Sequence, residues 1–481
     1  MARILVIDLG TSWFKFALFD RSGRLCGLVR RATPVQRQQE GWMEIEAGDF
    51  DREIVAGVMA LGNQCGGLAD VEALGFATQT NSFVLLDDQD RPLGSIILWS
   101  DCRAADLGPE FEDLVCLPSL GPTTGIPSVT HQFALAKFLW LRRHAMETWE
   151  RTRRVCLISD YLTLQWTGQH VTEVGTAALT ALVDIHQNQW WPEALARVGL
   201  DPNWMARIVP AGTDLCPIGS DRAERSGLPA GCRFVVGCLD QYAGAIGVGN
   251  VKTGLVSETT GTVLATVRLA HGMACDLDRS VFQGPAPDAG DYWRMVFGDV
   301  SANCLQRYQE SLPDRPSFDA LTAEAAGVEA GADGLRLANG PARDAPEAVF
   351  RGWTSGHTRA HAVRCILEAV AEALRDQVEA ISVGTAAEEV RSAGGAARSP
   401  LWLQIKADVL GLPVRATQCE EPTSLGAAVL AEAALSGATP AAVAEQWVRL
   451  GQLYEPDRRR QRRYDELRSN RIGSSQVPFQ Q

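Results

Sequence analysis

One strand–turn–strand pattern occurs twice in this chain, at the very start and again past residue 250. The first copy is "VIDLGTSWFKFALFD", Val6 to Asp20. An apolar run carries Asp8 near its end, a small polar turn follows, and a run alternating with period two returns. The second copy is "TGLVSETTGTVLATVRLA", with Thr259, Thr260, Gly261 and Thr262 in the turn. A single long-period repeat predicts two related halves rather than a short-period solenoid. The 481 residues divide accordingly into 1–249, 250–455 and a terminal helix end with polar tail over 456–481. With 46% hydrophobic and 21% charged residues, each half has enough apolar material for its own core.

The coarse pattern is α/β. "ILVIDLG", "FKFALFD" and "RLCGLVRR" read as a meander, followed by a helix over about 50–61. The segment from Val71 to Asp101 reads as strands broken by "DDQDRP". "HQFALAKFLWLRRH" and "SDYLTLQWTG" have helical spacing, the second ended by Gly168. In "HAVRCILEAVAEALRDQVEAI", Val363, Leu367, Val370, Leu374, Val378 and Ile381 form one helical face. Between about 276 and 350, Pro, Gly, Ala and Asp dominate, so loops and short helices are expected. The arginine cluster in "EPDRRRQRRYDELRSNR" reads as a solvated helix rather than a nucleic-acid surface.

The totals exclude several classes. A net charge of −13 argues against general nucleic-acid or anionic-membrane binding, which need a positive footprint. A local phosphate pocket stays compatible with it. The first residues lack a signal-peptide pattern, and no run reaches the roughly twenty apolar residues of a membrane span. Twelve cysteines without a C-x-x-C pair read as reduced thiols in a cytoplasmic protein. The seven histidines lack zinc-ligand spacing.

Four pieces carry chemistry. In the first turn, Gly10, Thr11 and Ser12 let backbone N–H groups face phosphate oxygens. Lys15 adds positive charge there, and Asp8 can hold a hydrated magnesium ion. A plain turn with a capping aspartate would look the same locally. The second small-hydroxyl turn shifts the balance towards a polyphosphate gripped from two sides. The third piece is "SAGGAARSPLWLQIKADVLGLPV". Gly394, Gly395 and Ala396 precede a helix beginning near Ser399 and Pro400, small enough for a flat ring to approach. Fourth, "RFVVGCLDQYAGAIGVGN" places Asp240 just past a strand end. There it can accept a proton from an attacking hydroxyl, cap the following helix, or do both.

In this order and at these separations, the four pieces resemble the FGGY carbohydrate kinases. Collinear support comes from "EGWMEIEAGDF", "IILWSDCRA", "TGIPSVTHQFALAKFLWL", "SDYLTLQWTGQHVTE", "FRGWTSGHTRAHAVRCILEAV" and "EEPTSLGAAVLAEA", so the likeness runs from about residue 3 to about 468. It implies a duplicated RNase H-like (actin-like ATPase) fold, two lobes with a central cleft. The N-terminal lobe would bind sugar and the C-terminal lobe ATP. Asp8 would sit near magnesium, and Gly10, Thr11, Ser12 and Lys15 would face the phosphates. Gly261 and Thr262 would hold phosphate from the other lobe, and Gly394, Gly395 and Ala396 the adenosine. Asp240 would be the general base, with Gln241 beside it. Gln79, Thr80, Asn81, Trp99, Asp101 and Arg103 match the sugar-facing stretches. For Trp99, core packing and sugar contact weigh about equally.

The implied reaction is ATP-dependent phosphorylation of a small sugar or polyol, nearest the xylulose kinase-like branch. D-Xylulose leads, with ribulose, a pentitol or tetritol, gluconate and glycerol open, and so is a homodimer. Three features depart from the family pattern. Ala396 replaces a glycine of the adenosine loop, "NGPARDAPEA" replaces a longer motif, and Thr80-Asn81 stand where the xylulose kinases carry Met-His. The odd loop at 339–348 motivates a rival, a member that binds without transferring phosphate. A second rival is an actin-like filament or chaperone-type ATPase.

Overall fold

A computed structural model describes residues 2–106, 108–338 and 349–474 of the chain, with side chains through 470. The expectations for the 339–348 loop and the last residues of the tail lie outside the described residues. Two compact units emerge. One comprises Met1–Val251, Leu269–Arg294 and Glu421–Val448; the other comprises Lys252–Arg268, Met295–Glu420 and Arg449–Gln481.

The first unit is built on strands β1 (Arg3–Leu9), β2 (Trp13–Asp20) and β3 (Leu25–Ala32). After helix α1 (Ala47–Gln64) come β4 (Val71–Thr78), helix α2 (Ala134–His144) and helix α3 (Ile158–Thr167). Then follow β5 (Asp214–Pro217), β6 (Arg233–Val235), β7 (Cys238–Leu239) and helix α4 (Asp240–Gly247). The sheet order is β5-β6-β4-β1-β2-β3, with β7 also paired to β4. β1 is buried from Ile4 onward because the sheet is covered on both faces, which explains its unbroken apolar run. Helix α1 extends past the expected 50–61 at both ends, since nothing in "AGD" or "GNQ" stops it. α3 ends as expected: Gly168 adopts φ +73°, the left-handed cap that glycine takes without strain.

The second unit repeats the plan. β8 (Leu255–Thr260) pairs antiparallel with β9 (Leu264–His271). The region read as loops and short helices from 276 to 350 also holds two strands, β10 (Phe282–Pro285), which counts with the first unit, and β11 (Asp291–Gly298), which runs from the first unit into the second; they correct the expectation. Their turn residues mask a buried run, Trp293, Met295 and Val296. The short helices expected there are present at Ala302–Ser311 and Phe318–Ala325. Helix α5 (Arg359–Ile381) precedes β12 (Glu389–Ala393), α6 (Pro400–Leu410) and β13 (Val414–Thr417). β8 runs parallel to β12 and β12 parallel to β13, as β1 runs parallel to β4 and β4 to β6. The duplication is thus one of topology: an antiparallel hairpin whose first strand also pairs in parallel with the strand after a helix.

Helix α7 (Pro422–Ser436) returns to the first unit and packs on α4, β4 and β1. Two glycines permit the approach. A Cβ at Gly426 would stand 1.8 Å from the Ala243 carbonyl oxygen, and one at Gly247 1.8 Å from that of Pro422. Strand β14 (Leu450–Tyr454) and helix α8 (Arg458–Ser474) close the second unit. The arginines of α8 are less free than expected: Arg468 reaches Asp376 and Glu379 at 2.8 Å each, and Arg460 reaches Asp408 at 2.5 Å.

Because α4 begins at Asp240, the α4–α7 contact sets that residue's position. Gly426→Ala is expected to cost about 3 kcal/mol or more of stability, since backbone rather than a flexible side chain blocks the new methyl. Urea denaturation checks this, and a variant as stable as the parent would show the contact is soft.

Candidate active site

Parallel strands that end together bring the residues after their carboxyl ends together. β4 is flanked by β1 and β7, with Asp8 and Cys238 both in register with Ala77, and Leu9 and Leu239 both in register with Thr78. Asp8, the Gly10–Thr11–Ser12 turn, Gln79–Thr80–Asn81 and Asp240–Gln241 therefore emerge along one edge of the first sheet. Two glycines shape it. A Cβ at Gly237 would lie 1.5 Å from the Phe76 carbonyl oxygen, and one at Gly10 would lie 2.7 Å from that of Trp13. Any side chain at either place would push the edge apart.

Charge at this edge is unbalanced. Asp8 is buried, and Lys15, its partner across the hairpin, holds its Nζ 3.2 Å from the carboxylate. Burial raises the Asp8 pKa; Lys15 opposes the rise and Glu421 adds to it. Asp240 is pushed up to about 7 by burial, with the Asp8 charge adding, while the Gln241 N–H at 2.7 Å and Lys15 oppose. Burial pulls Lys15 down, but Asp8 and Glu421 outweigh it and its pKa rises. Two carboxylates and one ammonium thus leave excess negative charge, which a cation would neutralise. Among the described residues no cluster of three or more His, Cys, Asp or Glu forms a metal cage. Magnesium needs none, because it keeps waters and takes phosphate oxygens beside one or two carboxylates. The donors present fit it.

The remaining first-unit residues differ in how far their polar groups are engaged. Gln79 is buried; its Oε1 accepts from Thr11 at 3.3 Å and Ser82 at 3.2 Å, while its Nε2 has no hydrogen-bond partner. A buried orphan donor is costly unless something fills it. The Trp99 indole donates to Thr11 Oγ1 at 2.9 Å, tying the "ILWSD" loop to the first turn. Thr80 donates to the Thr176 carbonyl at 2.9 Å. Asn81 sits at φ +61°, with Nδ2 donating to Leu179 O at 3.0 Å and Oδ1 accepting from Ala134 N at 2.9 Å. Asp101 is fully buried and accepts from Met43 N at 2.6 Å and Arg103 Nε at 2.8 Å. Arg103 also reaches Glu44 at 2.5 Å and lies 3.9 Å from the Trp42 ring centroid. Asp101 and Arg103 therefore brace the loop through bonds to protein, while Asn81 ties the end of β4 to Ala134 and Leu179.

The second unit assembles the other predicted group. β8 and β12 run parallel with Thr259 opposite Ala393, so the turn Thr260–Gly261–Thr262 and the loop Gly394–Gly395 leave the same edge. Gly394 adopts φ +83°, and its Cα faces the Thr259 methyl and the Thr260 carbonyl. Ala396 is buried, and Ser399 caps α6 by accepting from Trp402 N. Gly395, Thr259 and Thr262 are exposed. Beneath the turn, Glu258 and Lys406 form a buried pair at 2.5 Å, and Thr260 donates to Glu258 at 2.6 Å.

Three contributors escaped the sequence reading: Glu421, which holds Lys15 at 2.9 Å; Ser301, which donates to Gly261 O at 2.6 Å; and Lys137. Lys137 is fully buried in α2 and donates to Trp99 O at 2.9 Å and Gln132 O at 2.7 Å. A lysine on the apolar face of "FALAKFLWL" was the available signal. Burial drops its pKa from the ordinary 10.5 to about 7; Asp101 opposes this and Arg103 adds to it. Unfolded chains then bind more protons than folded ones between about pH 7 and 10.5, so this residue makes stability rise with pH over that window. Lys137→Met is expected to remove that contribution. Its stability relative to wild type should be highest near pH 7 and fall towards pH 10 in urea titrations, and a constant difference would mean the ammonium stays charged throughout.

Residues 3–247 match the N-terminal domain of the FGGY family of carbohydrate kinases, and residues 296–435 match its C-terminal domain. The chain is 30% identical to a xylulose kinase of Escherichia coli over 89% of each chain. It is also 30% identical to a glycerol kinase of Dechloromonas aromatica over 89% of this chain and 88% of that one. The crystal structure of a xylulose kinase from Rhodospirillum rubrum superposes with TM-score 0.89 at 25% identity, covering 99% of both chains. The duplicated hairpin-and-parallel-strand plan is that of the actin-like ATPase fold, and this chain belongs to the FGGY family of carbohydrate kinases.

Proposed function

We propose that this kinase phosphorylates a ketopentose, D-xylulose first, with Asp240 as general base. Asp240 carries the reading: it sits beside Asp8 at the strand edge, and its pKa near 7 suits a group that must be ionised yet basic at neutral pH. The substrate hydroxyl gives its proton to the Asp240 carboxylate as its oxygen bonds to the γ-phosphorus of ATP. The bond from that phosphorus to the β-bridging oxygen breaks, leaving sugar phosphate and ADP.

The other roles follow position. The Gly10–Thr11–Ser12 N–H groups and the Lys15 ammonium orient and neutralise phosphate oxygens. Within the second unit, Gly261 and Thr262 offer N–H and hydroxyl groups to phosphate, and the Gly394–Gly395–Ala396 loop leaves the same edge with room for adenosine. Asp8 would hold magnesium, which when bound supplies charge neutralisation at the phosphates. The orphan Nε2 of Gln79, the Thr80 hydroxyl, the Gln241 amide and the face of Trp99 contact the sugar, while Asn81, Asp101 and Arg103 position that surface.

Relatives named xylulose kinase support the ketopentose. A glycerol kinase relative of equal identity keeps glycerol as the second reading. Both carboxylates are retained, which disfavours a binding protein without transfer. Cytoplasmic ATP and sugar would supply it, and among the described residues no helix is long and apolar enough to cross a membrane.

ADP release, followed across ketopentoses, polyols, aldonates and glycerol, should show the largest kcat/KM with D-xylulose; a clear preference for glycerol would reverse the order. Asp240→Asn should keep ATP binding and lower kcat by roughly 10²–10⁴. Near-normal turnover would remove Asp240 from the reaction.

A further inference from the structure

Glu421 immediately precedes α7, is 5% exposed, and stands at the residue that caps the helix. Caps of this kind usually accept hydrogen bonds from the first helical N–H groups. This one accepts none with its side chain. Its two oxygens serve cations on β2 and β3 instead: Oε2 takes the Lys15 ammonium at 2.9 Å, and Oε1 takes the guanidinium of Arg30. Lys15 Nζ is thereby shared, at 2.9 Å from Glu421 and 3.2 Å from Asp8. The positive end of the α7 dipole makes a buried carboxylate tolerable there.

We propose that Glu421 is a positioning residue for phosphoryl transfer, dividing the Lys15 ammonium with Asp8 so that the Lys15–Asp8 pairing stays partial and both remain available to the nucleotide phosphates and their cation. The inference rests on the reading that Lys15 and Asp8 serve those phosphates. Without Glu421 the ammonium has one buried anion left and closes onto Asp8. The resulting pair withdraws a charge from the phosphates and a ligand from the cation. Glu421 touches no substrate and acts only through Lys15. Arg30 holds it from the opposite side, fixing the carboxylate between two cations.

A double-mutant cycle tests this on the full chain, with kcat, both KM values and MgADP affinity by calorimetry for E421Q, K15M and the pair. We expect E421Q to lower kcat about tenfold and weaken MgADP several-fold while leaving the sugar KM in place. K15M should lower kcat further, and the double variant should match K15M. An E421Q with unchanged kcat and MgADP affinity, or losses that multiply in the double variant, would overturn the inference while leaving the kinase reading intact. A fully active K15M would overturn the phosphate role of Lys15 and the inference with it. Should E421Q fail to fold, R30M reads the same contact from its exposed side. Its effect on kcat should vanish in the K15M background, and an effect that persists there, or no effect at all, counts against the proposal.

Discussion

Asp8 and Asp240 are neighbours because two strands far apart in sequence pair with the same third strand. β1 and β7 flank β4 in matching register, and their last residues leave the sheet at one level. Two acids held in a buried strand edge repel each other, and burial makes both reluctant to ionise. The first sheet therefore stores an electrostatic demand for positive charge. Lys15 meets part of it from the adjacent strand, and a bound cation would meet the rest.

The two hairpins share their topology but divide the chemistry. In the first, Asp8 lies opposite Lys15; in the second, the corresponding pair is Thr259 opposite Ala265. The charged residues occur in one copy and small neutral ones in the other. The second copy places its ionic pair on the inner side, where Glu258 and Lys406 are fully buried beneath the turn. Breaking such a pair by removing one partner commonly costs about 3–5 kcal/mol, so it holds the turn firmly without facing solvent. One repeated plan thus carries an edge of charged residues in one unit and an edge of small neutral residues in the other.

Buried charge recurs behind the "ILWSD" loop. Asp101 and Arg103 satisfy each other, Glu44 and the Met43 amide, and Lys137 clamps the Trp99 carbonyl from beneath. These side chains fix a loop that has little regular structure of its own. Trp99 is half-buried with its indole N–H on Thr11, so packing and recognition meet in one residue. Neither of the two weights given to it from sequence alone was the whole account.

The repeated hairpin, the helix at 359–381, the Ser399–Pro400 helix start and the Gly168 stop were legible because periodicity, caps and glycine act locally. The strands at 282–298 were hidden by turn residues, and Lys137 by its place on an apolar helix face. The amino-acid order by itself determined the duplication, the two phosphate-suited turns and the acids at strand ends, since each depends on residues a few positions apart. Only the tertiary structure decided that Glu421 meets Lys15, that Asp101 accepts from the Met43 amide, and that Gln79 keeps a free donor. Those outcomes depend on sheet register and helix packing between segments separated by up to 406 residues, and no local pattern encodes such distances.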